Sequence, residues 1–120
     1  MQPLELVQGW YQTRDTSLLH PKLEWQVLDY WPAGGVYHSP QAVVDAFFPQ
    51  LLSHFSHYET VLEHYYPSGE TVLVKGVYAG TGKRTGKAFR SDFVHIWSVQ
   101  DGRLIGFRQV ADTAAVRDIL

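Results

Sequence analysis

His95 is the residue of this 120-residue sequence best suited to proton chemistry. It lies in an apolar, alternating stretch, with Phe93 and Trp97 on the same face of a predicted strand. An imidazole with an ordinary pKa of about 6.5 can accept or release a proton at neutral pH. The same position also suits a buried, neutral histidine that is hydrogen-bonded to a neighbour and does no chemistry. Both interpretations stay open at the level of sequence.

Asp29 is a second candidate for acid or base chemistry. Its apolar neighbours Trp25, Tyr30 and Trp31 would raise the pKa of a carboxyl group that they surround. If a strand through Val27 stays regular, Asp29 lies on the same face as Val27. A solvated carboxylate at the end of a strand is the simpler interpretation.

Two other groups of residues invite a chemical interpretation, but we expect neither to form a site. His54 and His57 have a spacing that could hold zinc on a helix only with further ligands, and the periodicity changes from helical to alternating there. The glycine-rich, basic segment 80–87 joins two strand-like stretches, whereas a phosphate-binding loop leads from a strand into a helix. We expect a hairpin turn at 80–87, no metal site and no cofactor.

The elements that must hold these residues follow from the hydrophobic periodicity. Helical spacing predicts a helix over 3–16, then a short helical turn that Pro21 ends. A second helix should begin after Ser39 and be kinked by Pro49. Strict alternation and turn dipeptides predict strands over 23–28, 58–65, 71–80, 88–99 and 103–110. A final helix should run over 112–120. Helices followed by an antiparallel meander indicate one α+β domain over residues 1–120.

The composition limits the class of protein. The chain has four Trp, seven Tyr and six Phe, and only 18% of its residues are charged. This excludes a disordered chain, a coiled coil and a collagen-like repeat. The net charge of −2 gives no general attraction to nucleic acid or to an acidic membrane. Without cysteine, a bilayer-spanning apolar run or a signal-peptide pattern, we expect a soluble, cytoplasmic protein.

The order of elements and several motifs resemble the SnoaL-like branch of the nuclear transport factor 2-like superfamily, which includes ketosteroid isomerase and polyketide cyclases. The motifs are Leu23-Glu24-Trp25, Gly34-Gly35-Val36-Tyr37, Tyr78-Ala79-Gly80, Phe93-Val94-His95-Ile96-Trp97, Asp101-Gly102-Arg103 and Phe107-Arg108-Gln109. The resemblance implies a cone: a strongly curved antiparallel sheet wrapped by N-terminal helices, of the cystatin-like α+β roll type, with a short C-terminal helix. It also implies an apolar pocket at the open end and a homodimer formed through the sheet face.

The resemblance does not extend to the relatives' catalytic carboxylates. The positions that match the isomerase's oxyanion aspartic acid, tyrosine and base hold His95, Val7 and Val27. The acid in the last strand of the cyclase relatives most resembles Gln109, which cannot exchange a proton near neutral pH. Tyr11 lies one helical turn beyond Val7 on the same face.

We therefore predict His95 as the acid, base or oxyanion donor, with Asp29 and Tyr11 assisting. The resemblance implies a pocket wall made of Trp25, Tyr30, Trp31, Tyr37, Trp97, Phe107 and Gln109. The expected ligand is a small apolar molecule. If the protein is an enzyme, the expected reaction is an isomerase- or cyclase-type proton transfer on a hydrophobic substrate. The alternative is a non-catalytic ligand-binding or dimeric protein-interaction module, which the missing carboxylates favour.

Overall fold

Six strands form one curved sheet in the computed structural model, which describes residues 1–120. In chain order they are β1 (Leu19–Val27), β2 (Gly35–Tyr37), β3 (Phe55–Ser68), β4 (Thr71–Gly82), β5 (Ala88–Gln100) and β6 (Arg103–Ala111). Their order across the sheet is β2-β1-β6-β5-β4-β3. Strands β1 and β6 pair in parallel, and all other neighbours pair antiparallel. The predicted α+β class with a curved sheet is confirmed.

The long antiparallel strands β3 to β6 form where the alternation predicts them, although β3 extends beyond the predicted 58–65 at both ends. The 80–87 segment contains the end of β4 and the turn into β5, as predicted. Register shifts interrupt the β3–β4 pair twice and the β5–β6 pair once. Such bulges bend a strand and increase its twist, so they help the sheet to curl.

Strand β1 begins at Leu19, four residues before the predicted start at 23, and contains Pro21. Between Leu19 and Glu24 its register against β6 is irregular, so the missing N–H of Pro21 falls where the ladder is already interrupted. The predicted helical turn is a single 3₁₀ turn, Thr16–Leu18. Strand β1 ends at Val27, so the alternation does not extend to Asp29.

Four short helical elements pack on the inner face of the sheet or at its edge. They are α1 (Pro3–Thr13), α2 (Pro40–Ala42), α3 (Phe48–Leu52) and α4 (Ala114–Arg117). A π-helical segment, Val43–Phe47, joins α2 to α3, and within it the Phe48 N–H donates to the Val43 carbonyl. This widened turn accommodates Pro49, which has no N–H and whose ring would crowd the carbonyl four residues before it. No helix is both long and apolar enough to cross a lipid bilayer.

The hydrophobic core lies between α1, the π-helical segment and the inner face of the sheet. Its largest fully buried side chains are Trp10, Trp97 and Phe93. Gly76 on β4 permits the close packing of Phe93, because a Cβ atom at Gly76 would overlap that ring and the Val61 carbonyl oxygen. The core is therefore largely aromatic where β4 and β5 face the helices.

Candidate functional site

A cavity lies between α1, the π-helical segment and the inner face of the sheet. Its fifteen lining residues, eleven of them hydrophobic, are Trp10, Tyr11, Arg14, Trp25, Val27, Trp31, Phe47, Phe48, Leu51, Tyr58, Thr60, Tyr78, His95, Phe107 and Gln109. Its free volume is about 40 Å³, enough for a few water molecules. Two surface clefts of about 260 Å³ each adjoin it and share Arg14 and Phe48 with its lining. Those two side chains therefore lie where the cavity meets both clefts.

His95 is the centre of a hydrogen-bonded network in this cavity. The Tyr11 hydroxyl lies 2.5 Å from its Nδ1 atom, and the Tyr78 hydroxyl lies 2.5 Å from its Nε2 atom. The indole N–H of Trp97 donates to the Tyr11 oxygen at 2.9 Å. Three elements meet at this imidazole, since Tyr11 comes from α1, Tyr78 from β4 and His95 from β5. With His95 only 4% exposed, its polar atoms depend on these partners.

The number of protons in the network leaves one tyrosine free to donate elsewhere. A neutral imidazole donates from one nitrogen and accepts at the other, in either tautomer. One tyrosine therefore donates a hydrogen bond to His95. The other accepts a hydrogen bond from the imidazole N–H, so its own O–H is not used by His95. Because Tyr11 and Tyr78 both line the cavity, a group bound there can accept that spare O–H, in competition with the Tyr58 hydroxyl where the donor is Tyr78.

Burial keeps the three members of the network uncharged. It lowers the pKa of His95 well below the usual value of 6.5, and the positive charge of Arg14 lowers it further. Burial raises the pKa of Tyr11 and of Tyr78 far above the ordinary value of 10.0. Desolvation disfavours the charged form of each group. At neutral pH the site thus presents a neutral imidazole and two protonated phenols.

Aromatic stacking fixes the orientation of the imidazole. The Phe93 ring stacks on it with centroids 4.1 Å apart, and the Tyr11 ring stacks with centroids 5.9 Å apart. The Phe107 ring meets it edge-on at 4.7 Å. With Phe93 covering one ring face and both nitrogens bonded, the His95 side chain has little freedom to turn. The structure thus shows His95 buried and hydrogen-bonded, and it also places the imidazole in the cavity wall, while a role in proton transfer stays a prediction.

The structure brings six of the predicted site residues to the cavity wall: His95, Tyr11, Trp25, Trp31, Phe107 and Gln109. Gln109 is 2% exposed, and its Oε1 atom accepts a hydrogen bond from the Leu28 N–H at 3.3 Å. Trp25 and Phe107 stack with centroids 3.8 Å apart and form one wall.

Four predicted residues lie elsewhere. Asp29 is exposed in the turn after β1, because the strand ends before it. Tyr30 is 87% exposed and cannot form part of the wall. Tyr37 packs behind Phe47 and donates its hydroxyl hydrogen to the Ala33 carbonyl. Trp97 is fully buried beneath the wall, where it holds Tyr11 in place. No cluster of three or more His, Cys, Asp or Glu side chains is arranged to hold a metal ion.

Several cavity residues were not predicted, and Tyr78, Tyr58 and Arg14 are the most important of them. The hairpin register could have revealed Tyr78. Alternation from Val74 places Tyr78 on the inner face of β4, and β4 pairs with β5 so that Val74 faces His95. Nothing in the local pattern around Arg14 indicates that its side chain turns back over the cavity.

The fold agrees with the proteins to which the chain is similar. Residues 14–107 match the SnoaL-like domain family. The chain belongs to the SnoaL-like family. An NTF2-like protein of Burkholderia thailandensis is 30% identical, with a TM-score of 0.92 over 97% of this chain and 95% of that one.

Two solved structures with lower sequence identity also cover almost the whole chain. TerC, crystallised with polyporic acid, is 23% identical, with a TM-score of 0.82 over 98% of this chain and 96% of its own. A Jannaschia protein classed as a SnoaL-like polyketide cyclase is 18% identical, with a TM-score of 0.80 over 96% of this chain and 88% of its own. At these identities the two comparisons support the fold alone. No curated protein matches the sequence.

Proposed function

We propose that this SnoaL-like domain binds a small aromatic molecule that carries an oxygen acceptor. The Tyr11–His95–Tyr78 network carries the proposal: two short hydrogen bonds on one buried imidazole leave a phenol O–H available in a mostly apolar cavity. A carbonyl or hydroxyl oxygen on the ligand would accept that hydrogen bond, and aromatic side chains would cover the rest of the molecule.

Binding requires the cavity to enlarge. Its present volume of about 40 Å³ is far below the roughly 300–1,000 Å³ of typical ligand sites. Rotation of Arg14 and Phe48 would join the cavity to the two clefts that adjoin it at these side chains. We propose that the ligand enters between α1 and the π-helical segment, and that these two side chains move to admit it.

A proton-transfer enzyme of the isomerase or cyclase type is the second candidate. In that case the spare O–H would donate a hydrogen bond to a developing enolate oxygen and so stabilise its charge. No Asp or Glu lines the cavity, so this enzyme would lack the carboxylate base of its relatives. That observation favours binding without catalysis.

A thermal-shift screen with bicyclic and tricyclic aromatic ketones and phenols tests the proposal. A ligand that binds only the folded state raises the melting temperature as its concentration rises. We expect at least one compound to stabilise the wild-type protein and to stabilise Tyr78→Phe less. No shift with any compound would contradict ligand binding. For a bound compound that is also converted, unchanged turnover by His95→Gln would contradict catalysis through His95.

A further inference from the structure

Arg14 is a cation without a partner at the mouth of the cavity. Its guanidinium makes no salt bridge and no side-chain hydrogen bond within the chain. The neighbouring carboxylate, Asp15, accepts a hydrogen bond from the Ser17 N–H instead. Arg14 lines the cavity and both adjoining clefts, so any ligand that enters by that route passes it.

Aromatic rings, rather than an acid, hold the Arg14 side chain. Its guanidinium carbon lies 5.5 Å from the Trp10 ring centroid, 5.6 Å from that of Tyr11 and 5.9 Å from that of Phe48. Guanidinium packing on ring faces leaves N–H donors free to bind a carboxylate or a similar planar anion. Arg14 is thus placed over the site while its donors stay available.

The backbone at Arg14 adopts a conformation that is uncommon for residues other than glycine. Arg14 ends α1 in the left-handed conformation, with φ at 55°. Glycine or asparagine would adopt this conformation with less strain. The chain therefore keeps a long cationic side chain at a position where its backbone favours a smaller residue.

The cavity offers no negative charge to balance Arg14. None of the residues lining it or the two clefts is Asp or Glu, and its other hydrogen-bonding groups include several donors. The indole N–H groups of Trp10 and Trp25, two of the lining residues, are buried without an acceptor. A cavity with one cation, unpaired donors and no anion is electrostatically suited to a ligand that carries negative charge on oxygen.

We propose that Arg14 is the anion-recognition residue of the site, so that the ligand is an aromatic compound bearing a carboxylate or another anionic oxygen group. Its aromatic body would lie in the cavity and its anionic group at the mouth. This inference rests on the proposed ligand-binding function and adds the charge of the ligand to it.

Matched pairs of aromatic acids and amides test this inference. The probes are 2-naphthoate with 2-naphthamide, 4-biphenylcarboxylate with its amide, and 2-anthroate with its amide, each titrated at neutral pH. Quenching of tryptophan fluorescence reports binding, because Trp10, Trp25 and Trp31 line the cavity. The variants are Arg14→Gln and, as a control for the same change of charge, Arg103→Gln at the exposed first residue of β6.

We expect at least one acid to bind the wild-type protein about tenfold or more tightly than its amide. Arg14→Gln should abolish that preference while the amide still binds, and Arg103→Gln should preserve it. Equal binding of acid and amide to the wild type would overturn the anion preference and leave aromatic ligand binding intact. A preference that survives in Arg14→Gln would overturn the role of Arg14. Failure of every acid and amide to bind would contradict both this inference and the proposed function.

Discussion

Acidification should destabilise this protein through His95. The folded state holds His95 neutral, because burial lowers its pKa well below 6.5, whereas the unfolded chain protonates it near 6.5. Below that pH the unfolded state binds a proton at His95 and the folded state does not, so the free energy of unfolding falls as the pH falls. For a folded state that binds no proton at His95 over this range, the loss between about pH 7 and pH 5 is about 2 kcal/mol.

Urea unfolding of the wild-type protein and of His95→Gln at the two pH values measures this loss. Glutamine can both donate to and accept from the two tyrosine hydroxyls, so the variant lacks only the titrating ring. The wild type should lose about 2 kcal/mol more than the variant on acidification, with an unchanged dependence on urea concentration. Equal losses in the two proteins would show that His95 titrates normally, and the buried, neutral imidazole would then be wrong.

Three further perturbations test other parts of the structure. Tyr11→Phe removes the hydroxyl that joins the His95 imidazole to the buried indole N–H of Trp97, so it should lower the free energy of unfolding by about 1–3 kcal/mol. The control Tyr66→Phe, at an exposed position, should change the free energy of unfolding little. Gly76→Ala should cost about 1–3 kcal/mol in urea unfolding, because the added methyl group overlaps the Phe93 ring; stability equal to wild type would contradict the packing described for β4. The homodimer that the family resemblance implies would cover Ile96 on the outer face of the sheet. Ile96→Lys should therefore convert a dimer to a monomer, as measured by sedimentation velocity. A wild-type protein that is already a monomer would exclude this interface.

Local pattern was enough to predict most of the sheet. In β3 to β6, alternating side chains and turn residues such as Asp101-Gly102 give both the strands and their connections. The prediction was wrong where a long-range pairing overrides a local signal. Pro21 looks like the end of a helical turn, but it lies in β1 at an irregular part of the pairing with β6. Strand β2 was missed because three residues are too few to show alternation.

The candidate site was harder to predict than the fold, because it depends on which side chains converge. The register of β4 and β5 contains enough information to place Tyr78 beside His95. The position of Arg14 depends on the left-handed end of α1, which no local sequence signal indicates. The prediction for Asp29 extends β1, which stops two residues before it, and the prediction for Tyr30 comes from the family resemblance. Their exposure follows from that early end.

We expect an aromatic ligand to bind inside the cavity rather than on the outside of the sheet. Isothermal titration of the most stabilising compound from the thermal-shift screen tests it directly, with two variants of adjacent β3 residues. Thr60→Phe adds a ring at the cavity wall, and Val61→Phe adds the same ring at a neighbouring position that does not line the cavity and is 43% exposed. We predict that Thr60→Phe weakens binding by about tenfold or more and that Val61→Phe leaves the Kd within about twofold of wild type. Equal affinity in all three proteins would contradict this expectation.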